Sequence, residues 1–242
     1  MHAKTVESVG HVPLAGTHRP GTPSLRSNPH RIFLLSPANA SGLRAKLILG
    51  DSAHSPLAQR LRSEGVPLGE IFSFISGLYF RGKLAYARAY ADPPPGIPGV
   101  MVITASRGLV SPDQCFTLKE LREVAAGNID ATESQYRRPL ERDARLLCDQ
   151  MGAHCEAVLL GSVATPKYVE PLVGILGERL MFPAEFVGRG DMSRGGLLLR
   201  CAREQVQLTY VRVAGAVCHG ARPPKLPKLT RRFLRADETP GS

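Results

Sequence analysis

The stretch from Ile32 to Asn39 reads IFLLSPAN, an apolar run of four residues followed at once by a polar turn. The apolar part is typical of a β-strand that is buried on both faces, because such a strand needs no alternation of polar side chains. Pro37 ends the hydrogen-bond ladder of a strand, and Asn39 tolerates a tight turn. Three further apolar runs end in segments rich in glycine, serine or small residues: Val100–Ile103, Val158–Leu160 and Leu180–Phe182.

Segments with helical periodicity alternate with these four strands. The pattern predicts helices over residues 71–90, 118–126, 134–151, 166–176 and 193–203, and a last strand over residues 207–213. Thr117 and Glu120 form the sequence signature of a capping box in front of the second helix. This order predicts an α/β fold, a mainly parallel open sheet with helices on both faces, in which ligands bind at the carboxyl ends of the strands.

Composition divides the chain into three parts: a disordered leader (1–30), a single α/β domain (31–218) and a basic, proline-rich tail (219–242). The formal net charge is +10, but the tail alone carries six Lys/Arg and two acids. Five cysteines form no CxxC pair, which argues against a disulfide framework and a zinc ribbon. No long apolar run or secretory signal is present. We therefore expect a cytoplasmic protein without a membrane span, cofactor or metal site.

The residues that follow each strand are the candidate ligand-binding residues. Helix N-termini attract anions, glycine permits close backbone approach, and arginine pairs with phosphate. The segment Gly188–Gly196, with four glycines in nine residues, is expected to form an irregular backbone cradle. At each position, ordinary turn or capping chemistry is the alternative. The ligand-binding candidates are Ser36, Asn39, Ser106, Arg107, Gly161, Ser162, Lys167, Arg189, Ser193 and Arg194.

The segment from Ile71 to Tyr90 has two interpretations. Gly82-Lys83-Leu84-Ala85 is similar to the hairpin of a helix-hairpin-helix element, whose backbone amides hold a DNA phosphate. Arg81, Lys83 and Arg88 then supply cations, and Arg81, Gly82, Lys83 and Arg88 are the candidate DNA-binding residues. The alternative is one continuous buried helix that tolerates two glycines.

Taken together, the ordered motifs resemble the YaaA family of bacterial peroxide-stress proteins. The resemblance covers roughly residues 31–205. It rests on Ser36-Pro37-Ala38, Gly108–Asp113, the segment from Gly161 to Tyr168, and above all Arg189–Arg194, which reads RGDMSR. It implies DNA binding, in part through a helix-hairpin-helix between the first two strands, and a role in limiting iron-driven oxidative damage. Asn39 stands where that family usually has lysine, and the basic tail has no counterpart in the family pattern.

These observations lead to three hypotheses. In the first, the protein binds DNA through the strand-end cleft and the hairpin. In the second, it is an enzyme that acts on a nucleoside, nucleotide or modified base, with Asp113 or Asp191 as general acid or base. In the third, it is an interaction protein whose basic tail does the binding. The expected partners are thus DNA and a nucleotide-like small molecule.

Overall fold

The computed structural model describes residues 28–216 together with residues 220, 221, 223, 224 and 226. Most of the predicted leader (1–30) and most of the predicted tail (219–242) lie outside these residues. The helices of the described part include none that is long and apolar enough to cross a membrane.

A mixed sheet of six strands forms the centre of the fold. The strands in chain order are β1 (His30–Leu35), β2 (Val66–Pro67), β3 (Val100–Ile103), β4 (Leu109–Val110), β5 (Cys115–Phe116), β6 (Cys155–Leu160), β7 (Leu180–Pro183) and β8 (Tyr210–Arg212). The six-stranded sheet has the order β4-β3-β1-β6-β7-β8, and β2 and β5 pair separately as a small antiparallel sheet. Strands β3, β1, β6 and β7 are parallel to one another, whereas the edge strands β4 and β8 are antiparallel to their neighbours.

Helices cover both faces of the sheet. They are α1 (Leu43–Leu49), α2 (Pro56–Ser63), α3 (Leu68–Ser76), α4 (Leu78–Tyr90), α5 (Leu118–Ala126), α6 (Ser134–Gln150), α7 (Pro166–Leu176) and α8 (Asp191–Glu204), with short 3-10 turns at Gly177–Arg179 and Ala184–Phe186. Phe33 and Leu35 of β1 pack toward the α3, α4 and α8 side. Ile32 and Leu34 pack toward α6 and α7. This confirms an α/β fold with a mostly parallel sheet between two helical layers.

Most predicted elements are present close to their expected bounds. Helix α5 occupies residues 118–126, and its capping box is formed: the Thr117 hydroxyl accepts from the Glu120 N–H while the Glu120 carboxylate accepts from the Thr117 N–H. Helices α1 and α2 and the β2–β5 pair were not predicted, because they are short: the helices have seven and eight residues and the strands two each. The strands at both edges run antiparallel, a direction that apolar runs alone do not encode.

The structure does not show a hairpin at Gly82–Ala85. Residues 71–90 form two helices, α3 and α4, which meet at Gly77, where φ is +57°. Gly82 to Ala85 lie in the middle of α4. The bend falls at Gly77 because glycine adopts this left-handed φ without steric cost.

Helices α4 and α8 touch through their backbones. A Cβ at Gly82 would lie 2.6 Å from the Gly195 carbonyl oxygen, and a Cβ at Gly195 would lie 2.7 Å from the Tyr79 Cα. The segment Gly188–Gly196 is therefore not an irregular cradle throughout. Asp191 to Gly196 are the first turns of α8, and Gly195 serves close helix packing.

We predict that Gly82→Ala and Gly195→Ala each destabilise the protein. Overpacking at a backbone contact lowers the free energy of unfolding by about 1–3 kcal/mol. Gly174→Ala in α7 is the matched control, because no atom lies within 4 Å of its Cβ position. There, removal of a helical glycine raises stability by up to ~1 kcal/mol. Urea denaturation of the three variants tests this, and equal midpoints would contradict the packing argument.

Candidate functional site

The central feature of the site is the point where the strand order reverses. The chain passes from β1 to β3 on one side of it and then to β6 on the other side. Open α/β sheets bind ligands outside the carboxyl ends of the two strands that flank such a point. Here these ends are Ser36 after β1 and Gly161 after β6, and the Ser36 N–H donates to the Leu160 carbonyl at 3.2 Å. A Cβ at Gly161 would lie 3.1 Å from that of Ser36, so glycine leaves room for the serine.

A cavity of about 470 Å³ opens at this point. This is within the usual size range of small-molecule sites. Five of the predicted site residues line it: Ser36, Asn39, Ser162, Lys167 and Asp191. Sequence reasoning missed the other polar lining groups, which include Ser76, Tyr79, Asn128 and Tyr168, and the apolar wall of Phe72, Val124 and Ile129. Tyr168 belongs to the motif that follows β6. No sequence feature near Tyr79 or Asn128 indicates that they line the same cavity.

Lys83 lies behind Ser36 rather than at the surface. It is 1% exposed, and its Nζ donates to the Ser36 Oγ at 2.8 Å and to the Ser36 carbonyl oxygen. The rings of Tyr79 and Phe80 face Nζ, with their centroids at 4.4 and 5.0 Å. Burial lowers the pKa of Lys83 from 10.5 to about 7, an effect that Asp191 opposes and Arg194 reinforces. In this position Lys83 does not reach a DNA phosphate.

Two buried tyrosines complete the polar wall. Tyr79 is 7% exposed, and the proton of its hydroxyl has no acceptor within the described part of the chain, while the Arg194 guanidinium lies close enough to hydrogen-bond to the hydroxyl oxygen. Burial raises the pKa of Tyr79 to about 12, although the Arg194 guanidinium opposes the shift. Burial also raises the pKa of Tyr168, and Tyr79 and Asp191 add to this effect. Both hydroxyls are therefore neutral donors near pH 7.

The start of α8 supplies the one carboxylate that the described residues place in the cavity lining. The Asp191 side chain is 70% exposed and lies 3.8 Å from Nη1 of Arg194. The Arg194 guanidinium is largely buried and donates twice to the Phe186 carbonyl, at 3.3 and 3.0 Å. Arg189 donates to the Glu185 carbonyl and to the Ser193 hydroxyl, at 3.0 and 3.2 Å. These arginines brace the start of α8 instead of lining the cavity.

Other predicted residues lie away from the cavity. Arg107 pairs with Glu120 at 2.9 Å and with Glu123 at 3.0 Å, so that its charge is neutralised by α5. Ser106 lies at a separate surface depression beside Arg138 and Arg142. The prediction that all four strand ends share one site is thus met only in part: Ser36 and Ser162 meet there, and Arg107 does not.

The remaining candidates lie on or beside α4 and do not line the cavity. Asp113 is exposed and forms an ion pair with Arg88. It does not line the cavity, so it cannot act there as a general acid or base. Arg81 is exposed, and Gly82 is buried against α8. Within the described residues, no three His, Cys, Asp or Glu side chains are grouped so that they would hold a metal ion.

We predict that Lys83 makes stability depend on pH. Because its pKa is lower in the folded protein, the unfolded chain binds more protons between pH 7 and 10.5, and the free energy of unfolding rises with pH in this range. The slope is at most about 1.4 kcal/mol per pH unit. Below pH 7 both states are protonated, and this contribution is constant.

Urea denaturation between pH 6 and 9.5, with the native chain compared with Lys83→Met, isolates this contribution because other groups affect both proteins equally. The exposed Lys119 provides the control Lys119→Met, which should follow the native curve. Parallel curves for the native chain and Lys83→Met would contradict the shifted pKa.

Comparison of the chain with models of known protein families, with curated proteins and with solved structures found no match. The resemblance to the YaaA family therefore stays a prediction from the motifs.

Proposed function

We propose that the protein binds a nucleoside monophosphate, or a close relative of one, in the cavity at the strand-order reversal. The observation that carries this proposal is the composition of the cavity lining: apolar side chains, hydroxyl and amide groups, and one cation among the described residues. This combination suits a flat base, a sugar and a single phosphate.

The apolar lining residues support the base. Phe72, Val124 and Ile129 line the cavity, and Asn128 lines it as well. A base buries its faces against apolar groups, while its edge needs one donor and one acceptor, which an asparagine amide supplies. The hydroxyls of Ser36 and Ser162 and the amide of Asn39 are the partners for the sugar.

The start of α7 supports the phosphate. Pro166 occupies the first helical position, and the hydroxyl of Thr165 makes no capping bond to the first turn. The N-terminal N–H groups and the helix dipole attract an anion, and Lys167 adds a full charge at the same end. Asp191, which also lines the cavity, repels further negative charge, so that one phosphate is favoured over three.

DNA binding is the competing proposal. Its predicted cations do not form a common exposed patch, because Lys83 is buried, Arg88 pairs with Asp113 and Arg107 pairs with α5. Arg81 stays exposed. These contacts favour the cavity over the surface as the site of nucleotide recognition.

We predict that the protein binds one or more of the four common nucleoside 5′-monophosphates with 1:1 stoichiometry, as measured by calorimetry. Lys167→Ala should weaken monophosphate binding roughly tenfold, which corresponds to about 1.4 kcal/mol, and leave binding of the parent nucleoside nearly unchanged. Asn39→Ala should weaken both. Lys119→Ala is the control for a lost surface charge and should bind as the native chain does.

Titration with duplex DNA at several salt concentrations separates the two proposals. Duplex binding with a steep salt dependence, undiminished in Lys167→Ala and Asn39→Ala, together with no binding of the monophosphates, would favour a DNA surface and overturn the cavity proposal. Absence of binding by every monophosphate and nucleoside would also overturn it.

A further inference from the structure

Ser36 and Lys83 form a pair in which only the serine faces the cavity. Ser36 lines the cavity, and Lys83, at 1% exposed, does not. Nζ lies 2.8 Å from the Ser36 Oγ. A bound ligand therefore meets the hydroxyl first, and the amine lies directly behind the hydroxyl.

The protonation state of Lys83 decides which way the hydrogen bond points. As an ammonium group it donates to both oxygens of Ser36, and the Oγ–H donates to the Leu160 carbonyl at 3.3 Å. As a neutral amine it keeps one N–H on the Ser36 carbonyl and offers its lone pair to the Oγ–H. Burial places the pKa of Lys83 at about 7, so the neutral form is populated near neutral pH.

The groups around Nζ suit a base that gains and loses a proton. Asp191 on α8 and the rings of Tyr79 and Phe80 on α4 stabilise the ammonium form, whereas Arg194 on α8 opposes it. Tyr168, on α7, is neutral near pH 7 because its pKa is raised. When Lys83 takes a proton from Ser36, some neighbours stabilise the resulting ammonium and others destabilise it. The proton is therefore not held tightly, and Lys83 can release it again.

We propose that Ser36 is a nucleophile and Lys83 its general base, and that the protein hydrolyses an acyl ester of its ligand through an ester on Ser36. Serine–lysine pairs of this type activate the hydroxyl by removing its proton during attack. The identity of the leaving alcohol, a nucleoside or nucleotide hydroxyl, rests on the proposed function; the nucleophile does not.

The reaction balances in two steps. The Oγ bonds to the carbonyl carbon, its proton passes to Nζ, and the bond from that carbon to the ligand oxygen breaks as this oxygen takes the proton from Nζ. Water then attacks the Ser36 ester and gives its proton to Nζ. The Oγ leaves and takes that proton back from Nζ, and a carboxylic acid is released.

Tyr79 is placed to stabilise the oxyanion that forms in both steps. It lines the cavity on the same helix as Lys83, four residues earlier, and the proton of its buried hydroxyl has no acceptor among the described residues. Leaving such a group unpaired is costly, and the cost is relieved when a ligand oxygen accepts its hydrogen.

The test is covalent labelling of the full chain with an alkyl fluorophosphonate, followed by intact mass and peptide mapping. We expect one adduct per chain, on Ser36, with a rate that rises with pH and is half-maximal near pH 7. Ser36→Ala should not be labelled. Lys83→Met should react at least about 100-fold more slowly than the native chain, and its rate should show no rise with a midpoint near pH 7.

Two exposed residues supply matched controls: Ser63→Ala and Lys119→Met should be labelled at the native rate. If Lys83→Met does not fold, Ser36→Cys is the alternative variant. It keeps Lys83, and the reactivity of its thiol shows whether Lys83 removes a proton from the side chain at position 36. Its thiol should react with iodoacetamide with a midpoint below the usual value of about 8.5, because the thiol can pass its proton to the neighbouring amine, and the ammonium so formed stabilises the thiolate.

Three results would each overturn the proposal: no adduct on Ser36 between pH 6 and 9, equal rates for the native chain and folded Lys83→Met, or a midpoint for the thiol of Ser36→Cys at or above the usual value of about 8.5. Labelling needs no nucleotide, so the two proposals fail separately. Monophosphate binding without labelling overturns the nucleophile alone, and labelling without monophosphate binding supports the nucleophile while overturning the proposed ligand.

Discussion

The backbone contact between Gly82 and Gly195 determines where the groups of the site can lie. Because neither residue has a Cβ, α4 and α8 approach until the Gly195 carbonyl lies against Gly82. Tyr79 and Lys83 are four residues apart on α4 and therefore lie on the same face of that helix. From this face Lys83 contacts Ser36 at the end of β1. The contact between the two glycines brings Asp191 and Arg194 of α8 beside Tyr79 and Lys83. The amine, hydroxyl and carboxylate groups of the cavity therefore depend on two glycines that contact no ligand.

Burying Lys83 is the main electrostatic cost of this arrangement. A cation removed from water is destabilising unless its charge is paired or its proton is lost. Here the Ser36 carbonyl and hydroxyl, two aromatic rings and a nearby carboxylate offset part of the cost, and the lowered pKa reflects the remainder. A group held near its titration point at neutral pH is costly for the fold and useful for proton transfer. The stability of the protein and the chemistry that we propose thus depend on the same side chain.

Sequence patterns located half of the site and missed the other half for identifiable reasons. Ser36, Asn39, Ser162 and Lys167 were found because they follow apolar strands, and parallel strands bring their carboxyl ends to one edge. Arg107 follows a strand as well, but two glutamates of α5 neutralise it, and nothing near it in the chain indicates their approach. Lys83 was assigned to DNA because Gly82–Ala85 is similar to the hairpin of a helix-hairpin-helix element. Lysines are rarely buried, and only its surroundings in the fold show this exception.

The sequence by itself determined the α/β class, the four parallel strands, the capping box at Thr117 and the serines that follow the first and third of those strands, because periodicity and capping are local properties. Tertiary structure alone decided that residues 82–85 continue a helix, that Asp113 pairs with Arg88, and that Lys83 contacts Ser36 across 47 positions of the chain. Contacts between distant segments depend on how helices pack. The packing at Gly82 and Gly195 requires the surfaces of both α4 and α8, and neither helix determines it alone.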